Sequence, residues 1–163
     1  MGTDIHIYAE KKLKNGDWSL LQTYDRIALR AGFLHPGLHH SSSHAMYYRV
    51  DGRNYDFFTA LAGVRGDGPE PRGFPKDVSP FVKEVANAWG GDGHSHSWYM
   101  AQEFVPIFRD HHLTEEEQAE VTIAAINSTY SVKEDFAVAY ILRNFLNVFD
   151  EPHTVRFVFW FDN

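Results

Sequence analysis

The chain has 163 residues, a formal net charge of −7, ten histidines and no cysteine. Its length is typical of one domain, and the lack of cysteine excludes disulfides, thiolate metal ligands and cysteine nucleophiles. The negative charge disfavours long nucleic acids as partners, although a few local arginines still permit a small anionic ligand. We find neither a membrane-spanning apolar run nor a secretory signal pattern, so we expect no membrane partner and a cytoplasmic location.

The first predicted element is a β-hairpin. In "DIHIYAEKK" apolar and polar residues alternate, which puts the isoleucines on one strand face and His6 on the other. Asn15-Gly16 is a strong turn signal, and "DWSLLQTY" can return as the second strand. Residues 25–50 follow and are predicted as loop, because they are rich in Gly, Pro, Ser and His. The role of their histidine-rich part, 35–44, is left open.

Capping signals predict helices through the rest of the chain. The starts are expected at Asn54, Ser79-Pro80, Ser97, Thr114 and Ser131. The third of these would open "WYMAQEFVPIFRDHH", with a kink at Pro106. The last two would open "EEEQAEVTIAAINS" and "VKEDFAVAYILRNFLNVF".

The final segment, "VRFVFWF", is aromatic and β-branched, as is typical of a central strand buried on both faces. A strand this apolar needs a neighbour, and we expect it to pair with the N-terminal hairpin. No linker divides the chain. The sequence therefore predicts a single α+β domain over 1–163, in which both termini form a small antiparallel sheet and about four to five helices pack on it.

Five segments together resemble one family. They are "MGTDIH", "RNYDFFTALAGVRG", "PRGFPKDVSP", "GHSHSW" and "VRFVFWFDN". Small, largely uncharacterised proteins of bacteriophages and bacteria often begin MGCDIH, carry RNYD, PRG-x-P-x-D-x-S and HS-x-SW segments, and end in a similar aromatic strand. The resemblance spans nearly the whole chain and implies a shared fold and a phage setting. It implies no particular activity, and Thr3 stands where the family usually has Cys.

One candidate site is a metal centre. Asp4 and His6 are spaced i, i+2 on a strand, and His94 and His96 have the same spacing. Carboxylate and imidazole ligands suit a divalent metal such as zinc or manganese, whose bound water could attack a phosphate ester or an amide. The same pattern also arises by chance in a histidine-rich chain, so this interpretation stays one alternative.

The other candidate is an anion cradle around "GGDGHSHSW". Its glycines allow backbone N–H groups to face a ligand, and a helix beginning after Ser97 would present free donors. The expected ligand-binding residues are Arg53, Tyr55, Arg65, Arg72, His94, Ser95, His96, Ser97 and Trp98. Arginine forks suit phosphate oxygens, and the aromatic rings, with Phe74, suit a base. Alternatively, the stretch only starts a helix and the arginines pair with nearby aspartates.

These candidates define three hypotheses for function. The first is binding of a small phosphate-bearing, nucleotide-like ligand, in a phage setting the sequestration of a host defence signal inside the infected bacterium. The second is a divalent-metal-dependent hydrolase, of phosphodiesterase type, acting on a similar ligand. The third is a virion or host-protein interaction module, whose partner surface would be aromatic. A homo-oligomer is compatible with all three.

Overall fold

The structure is a computed structural model that describes residues 2–20, 47–48, 53–112, 114–116 and 155–163. Within them an antiparallel sheet is covered by helices, so the α+β class is correct. The strands are β1 (Asp4–Lys12), β2 (Trp18–Leu20), β3 (Tyr47–Tyr48), β4 (His94–Met100) and β5 (Val155–Asp162). The helices are α1 (Tyr55–Ala62), α2 (Pro80–Ala88) and α3 (Ala101–His112).

The sheet has the order β2-β1-β5-β4, and β3 also pairs with β1. β1 and β5 run antiparallel along their whole length, with Ile7 opposite Phe159. The two ends of the chain thus lie side by side in the middle of the sheet. β4 pairs with β5 on its other side, and its register shifts between His94 and Ser97.

The predicted hairpin is present. Its turn is closed by hydrogen bonds from the Leu13 N–H to the Asp17 carbonyl (2.7 Å) and from the Gly16 N–H to the Leu13 carbonyl (2.9 Å). Gly16 has φ +92°, a conformation that glycine adopts without strain. The returning strand is described only as far as Leu20, and the rest of "DWSLLQTY" lies outside the described residues.

Every residue of β5 from Val155 to Phe161 is buried, which confirms a strand covered on both faces. On one face Phe161 meets Phe58 of α1, with ring centroids 5.2 Å apart. On the other face Trp160 stacks on Tyr8 at 5.5 Å. Because α1 and α3 cover the first face and α2 the second, residues next to each other on β5 have different surroundings.

The starts of α1 and α2 agree with the predicted starts. The Asn54 side chain accepts a hydrogen bond from the Phe57 N–H at 3.0 Å, and α1 ends at Gly63 with φ +64°. α2 begins at Pro80, but the Ser79 hydroxyl makes no capping bond. Instead, the Ser79 N–H donates to the buried Glu10 carboxylate at 2.7 Å.

The predicted helix start at Ser97 is wrong, because β4 continues to Met100 and α3 begins at Ala101. The Ser97 hydroxyl is buried and accepts a hydrogen bond from the Arg72 N–H at 3.1 Å, so it is not available as a cap. Instead, the Glu103 side chain accepts a hydrogen bond from the Met100 N–H at 3.0 Å. In a capping box, the third helical residue makes this contact with the N-cap residue. Pro106 lies inside α3.

Three helices are present in the described part of the chain. The two further helices expected at 115–128 and 132–149 lie almost wholly outside it, and only Glu115 and Glu116 are seen, both helical. No helix among the described residues is long and apolar enough to cross a membrane.

A buried ion cluster joins the central strands to the loop before α2. Arg156 is 2% exposed and Glu10 is fully buried, and the Arg156 Nε lies 2.6 Å from Glu10 Oε2. The same guanidinium donates to the Asp77 carboxylate at 2.7 Å and to its backbone carbonyl at 3.0 Å. Its hydrogen bond to Asp77 holds the pKa of that carboxyl below its usual range. The Trp18 ring packs on the guanidinium, 4.1 Å from its centroid.

Candidate functional site

A cleft of about 560 Å³ opens where β1 and β4 begin and β5 ends. The loop that follows α1 forms one wall, and the strand ends form the other. The polar and charged residues that line it are Thr3, Arg65, Asp67, Glu70, His94, Ser95 and Asn163. Its size lies within the range of small-molecule sites in proteins.

The loop wall is held tightly against the last turn of α1. A side chain on Gly68 would collide with the backbone oxygen of Thr59, and one on Gly66 would press on the Thr59 side chain. The Thr59 hydroxyl in turn donates to the Val64 carbonyl at 2.9 Å. Glycine is therefore needed for the loop to approach the helix this closely, and the approach fixes the direction of the wall.

Arg65 is the cationic side chain in this wall. Its Nε and Nη2 donate to the Thr3 hydroxyl at 3.1 and 2.8 Å, and Thr3 donates to the Asn163 side chain at 3.3 Å. The guanidinium also lies 5.8 Å from the centroid of the Tyr55 ring. The guanidinium therefore contacts Thr3 and Tyr55, while Arg65 as a whole residue is exposed at the cleft.

Backbone strain is concentrated at this cleft. Arg65 has φ +69° and Ser95 has φ +51°, and they are the non-glycine residues with positive φ in the described ranges. Such conformations cost about 1–3 kcal/mol each and cluster at functional sites. Both residues line the cleft, on opposite walls.

His94 contributes a buried nitrogen without a partner. Its ring lies 6.2 Å from Phe161 in a stacked arrangement, and its Nδ1 is 3.0 Å from the Ser95 hydroxyl. Its Nε2 is buried and has no hydrogen-bond partner among the described groups. A buried polar atom in that state costs about 1–3 kcal/mol, which a ligand atom or a water molecule would relieve.

Arg72 does not line the cleft, contrary to the prediction. It forms a two-pronged ion pair with Glu103, with distances of 3.1 and 2.9 Å, and lies 4.1 Å from the centroid of the Tyr99 ring. The hydrogen bond from Arg72 lowers the pKa of Glu103 and raises that of Arg72 itself. Arg72 thus attaches its segment to α3 and β4, because a nearby carboxylate satisfies the fork.

Three other predicted residues also lie away from the cleft. Ser97 is fully buried, and Trp98 packs against the core on the α2 side of the sheet. His96 contacts Phe74, with ring centroids 4.4 Å apart, and burial, followed by the charge of His94, lowers its pKa. Only His94 and Ser95 of "HSHSW" line the cleft, because the register shift between His94 and Ser97 interrupts the regular alternation of side chains along β4.

Arg53 is an exposed residue whose fork meets the Asp4 carboxylate at 3.2 and 3.4 Å and packs against Gly2. Its hydrogen bond to Asp4 raises its pKa. Tyr55 does not line the cleft and approaches it only through Arg65. Of the residues predicted to surround one ligand, Arg65, His94 and Ser95 line this cleft.

The structure does not assemble Asp4, His6, His94 and His96 into one centre. His6 Nε2 lies 3.2 Å from Asp162 Oδ2, whereas Asp4 faces Arg53. His94 and His96 lie on opposite faces of the sheet, beside Phe161 and Trp160 respectively. Within the described ranges no three His, Cys, Asp or Glu side chains are grouped so as to hold a metal ion.

Four of the polar or charged residues that line the cleft were not predicted from the sequence: Thr3, Asp67, Glu70 and Asn163. Thr3 and Asn163 could have been predicted, because pairing of the two terminal strands brings both chain ends to the same end of the sheet. The signal for Asp67 was the run "GVRGDG" directly after a helix, where closely spaced glycines indicate a tightly packed loop.

The described residues thus form an α+β fold with a cleft at the strand ends of its sheet. Comparisons with known protein families, with curated proteins and with solved structures gave no match. The resemblance to the bacteriophage and bacterial family therefore stays a prediction.

Proposed function

We propose that this protein binds a small phosphate-bearing, nucleotide-like ligand in the cleft between the loop 63–71 and the ends of β1, β4 and β5. The observation that carries the proposal is the convergence of Arg65 and His94 on this cleft. One supplies a guanidinium from a strained backbone position, and the other has a buried nitrogen without a partner.

The chemistry of the lining favours an oxyanion ligand at this wall. A guanidinium fork matches phosphate oxygens in geometry and charge. When His94 Nδ1 accepts the proton of the Ser95 hydroxyl, its Nε2 carries a proton and can donate to the ligand. The exposed Tyr55 ring beside Arg65 offers an aromatic surface for a base.

The family resemblance supplies only the phage setting of the proposal, and sequestration is added by analogy with phage strategies in general. We propose that the ligand is bound and released unchanged, which in a phage setting sequesters a nucleotide signal of host defence in the cytoplasm of the infected cell.

We also propose that helices at 115–128 and 132–149 bring the total number of helices to four or five.

Arg65→Ala tests the proposal. We expect it to weaken binding of adenosine monophosphate by about 10-fold to 100-fold, since a hydrogen bond to a charged group contributes roughly 1.5–3 kcal/mol. Arg65→Lys should retain part of the affinity, because the charge stays and the fork is lost. Isothermal titration calorimetry measures both.

Arg109→Ala is the matched control, because Arg109 is exposed on α3 and paired with Asp110 at 2.7 Å, away from the cleft. It should bind like the parent protein. Equal affinity of Arg65→Ala and Arg109→Ala, or no binding by the parent, would contradict the proposal. Chromatography of the ligand after incubation should recover it intact, and recovery of cleaved products would overturn the sequestering form.

A further inference from the structure

The cleft is lined by side chains of both positive and negative charge. Among its lining side chains, Arg65 carries the positive charge, and Asp67 and Glu70, from the same loop, carry two negative charges. Asp67 and Glu70 are exposed, and the turn between them is set by Gly68 against Thr59. Both residues line the same cleft as Arg65, so their negative charges act on a phosphate bound there.

This balance restricts the charge of the ligand. Counting Arg65, Asp67 and Glu70, the lining side chains have an excess of one negative charge, so a second charge on the phosphate would be repelled rather than neutralised. A phosphate monoester carries about −1.5 to −2 charges at pH 7, because its second pKa is about 6. A phosphodiester has no second ionisable oxygen and carries a single negative charge.

We infer that the cleft selects a phosphodiester over a phosphate monoester, and that Asp67 and Glu70 are the residues that set this specificity. The inference rests on the proposed function. Repulsion of a competing ligand is an ordinary source of specificity. It requires no loss of contacts to the preferred ligand. Arg65 meets the single charge of the diester, and the two carboxylates weaken binding of the dianion.

The test compares adenosine 5′-monophosphate with its methyl diester, which differ at the phosphate alone. Titration calorimetry at pH 8 and low salt should show that the diester binds about threefold to tenfold more tightly, the effect expected of two exposed charge interactions. In Asp67→Asn/Glu70→Gln the ratio should fall to about one, mainly because the monoester binds more tightly.

Glu84→Gln is the control, because it removes an exposed carboxylate on α2 outside the cleft. It should leave the ratio as in the parent protein. Equal or tighter binding of the monoester by the parent, or a ratio that Asp67→Asn/Glu70→Gln leaves unchanged, would overturn the inference while the proposed function stands. Failure of both ligands to bind would overturn the proposed function itself.

Discussion

His94 and His96 show how the environment of single residues differs within one short stretch. They are two positions apart on β4, yet the register shift between His94 and Ser97 puts their rings on opposite faces of the sheet. His94 lines the cleft, whereas His96 lies between Phe74 and Trp160. His94 is therefore the histidine that the proposed ligand would meet, whereas His96 has a packing role.

The burial of His96 predicts how the stability of the protein changes with pH. Burial, and then His94, lower the pKa of His96 in the fold, so below about pH 6.5 the unfolded chain binds more protons at this residue. The contribution of neutral His96 is therefore present above that pH and is lost as the pH falls. Urea unfolding at pH 7.5 and 5.5 should show a smaller loss of stability for His96→Gln than for the parent protein.

His111→Gln provides the comparison, because His111 is exposed on α3. It should not reduce the loss of stability on acidification. An identical loss in the parent and in His96→Gln would show that His96 is not the residue responsible.

At the same scale, the arginines explain why the site was only partly predictable. Sequence position identified Arg53, Arg65 and Arg72 as loop arginines but could not say which of them meets a carboxylate from elsewhere in the chain. Arg72 meets Glu103 and Arg53 meets Asp4, and both pairings depend on contacts between distant segments. Arg65 donates to the Thr3 hydroxyl and lines the cleft, which its sequence position alone could not show.

At the scale of elements, local signals predicted those elements that local contacts define. The β1–β2 hairpin, the start and end of α1, the start of α2 and the burial of β5 could all be predicted from turn residues, caps and apolar runs. β4 could not. Its polar first half resembles a helix cap, and its strand conformation depends on pairing with β5.

The ion cluster of buried Arg156 and Glu10 with the exposed Asp77 allows a prediction at this scale. Arg156→Met should lower the free energy of unfolding by about 3–5 kcal/mol, because it leaves the Glu10 carboxylate buried without its partner. Adding Glu10→Leu should restore much of the loss, since the uncompensated charge is then removed. Denaturant unfolding of the single and double variants measures both changes.

Arg109→Met serves as the control, because the Arg109–Asp110 pair is exposed. Its effect should be within about 0.5 kcal/mol. If Arg156→Met were no more destabilising than this control, the cluster would not stabilise the junction of β1, β5 and the loop before α2.

For the whole molecule, the position of β5 predicts that the fold depends on it. Deleting 155–163 removes the strand between β1 and β4 and seven buried residues, each large apolar side chain contributing roughly 1.5–3 kcal/mol. We expect this truncation to lose cooperative thermal unfolding, measured by circular dichroism. Deletion of Asn163 alone should retain it, since that residue is exposed. A cooperative transition in the longer truncation would mean that the sheet stands without its central strand.

The same strand order affects how the protein is made. β1 ends at Lys12 and has β2 on one side, but its neighbour on the other side, β5, begins at Val155 and is synthesised well after it. At roughly 5–20 residues per second, β1 waits on the order of ten seconds for its partner. During that time its apolar face and unpaired backbone edge are accessible to other chains. Nascent protein should therefore depend on chaperones until translation passes the last strand.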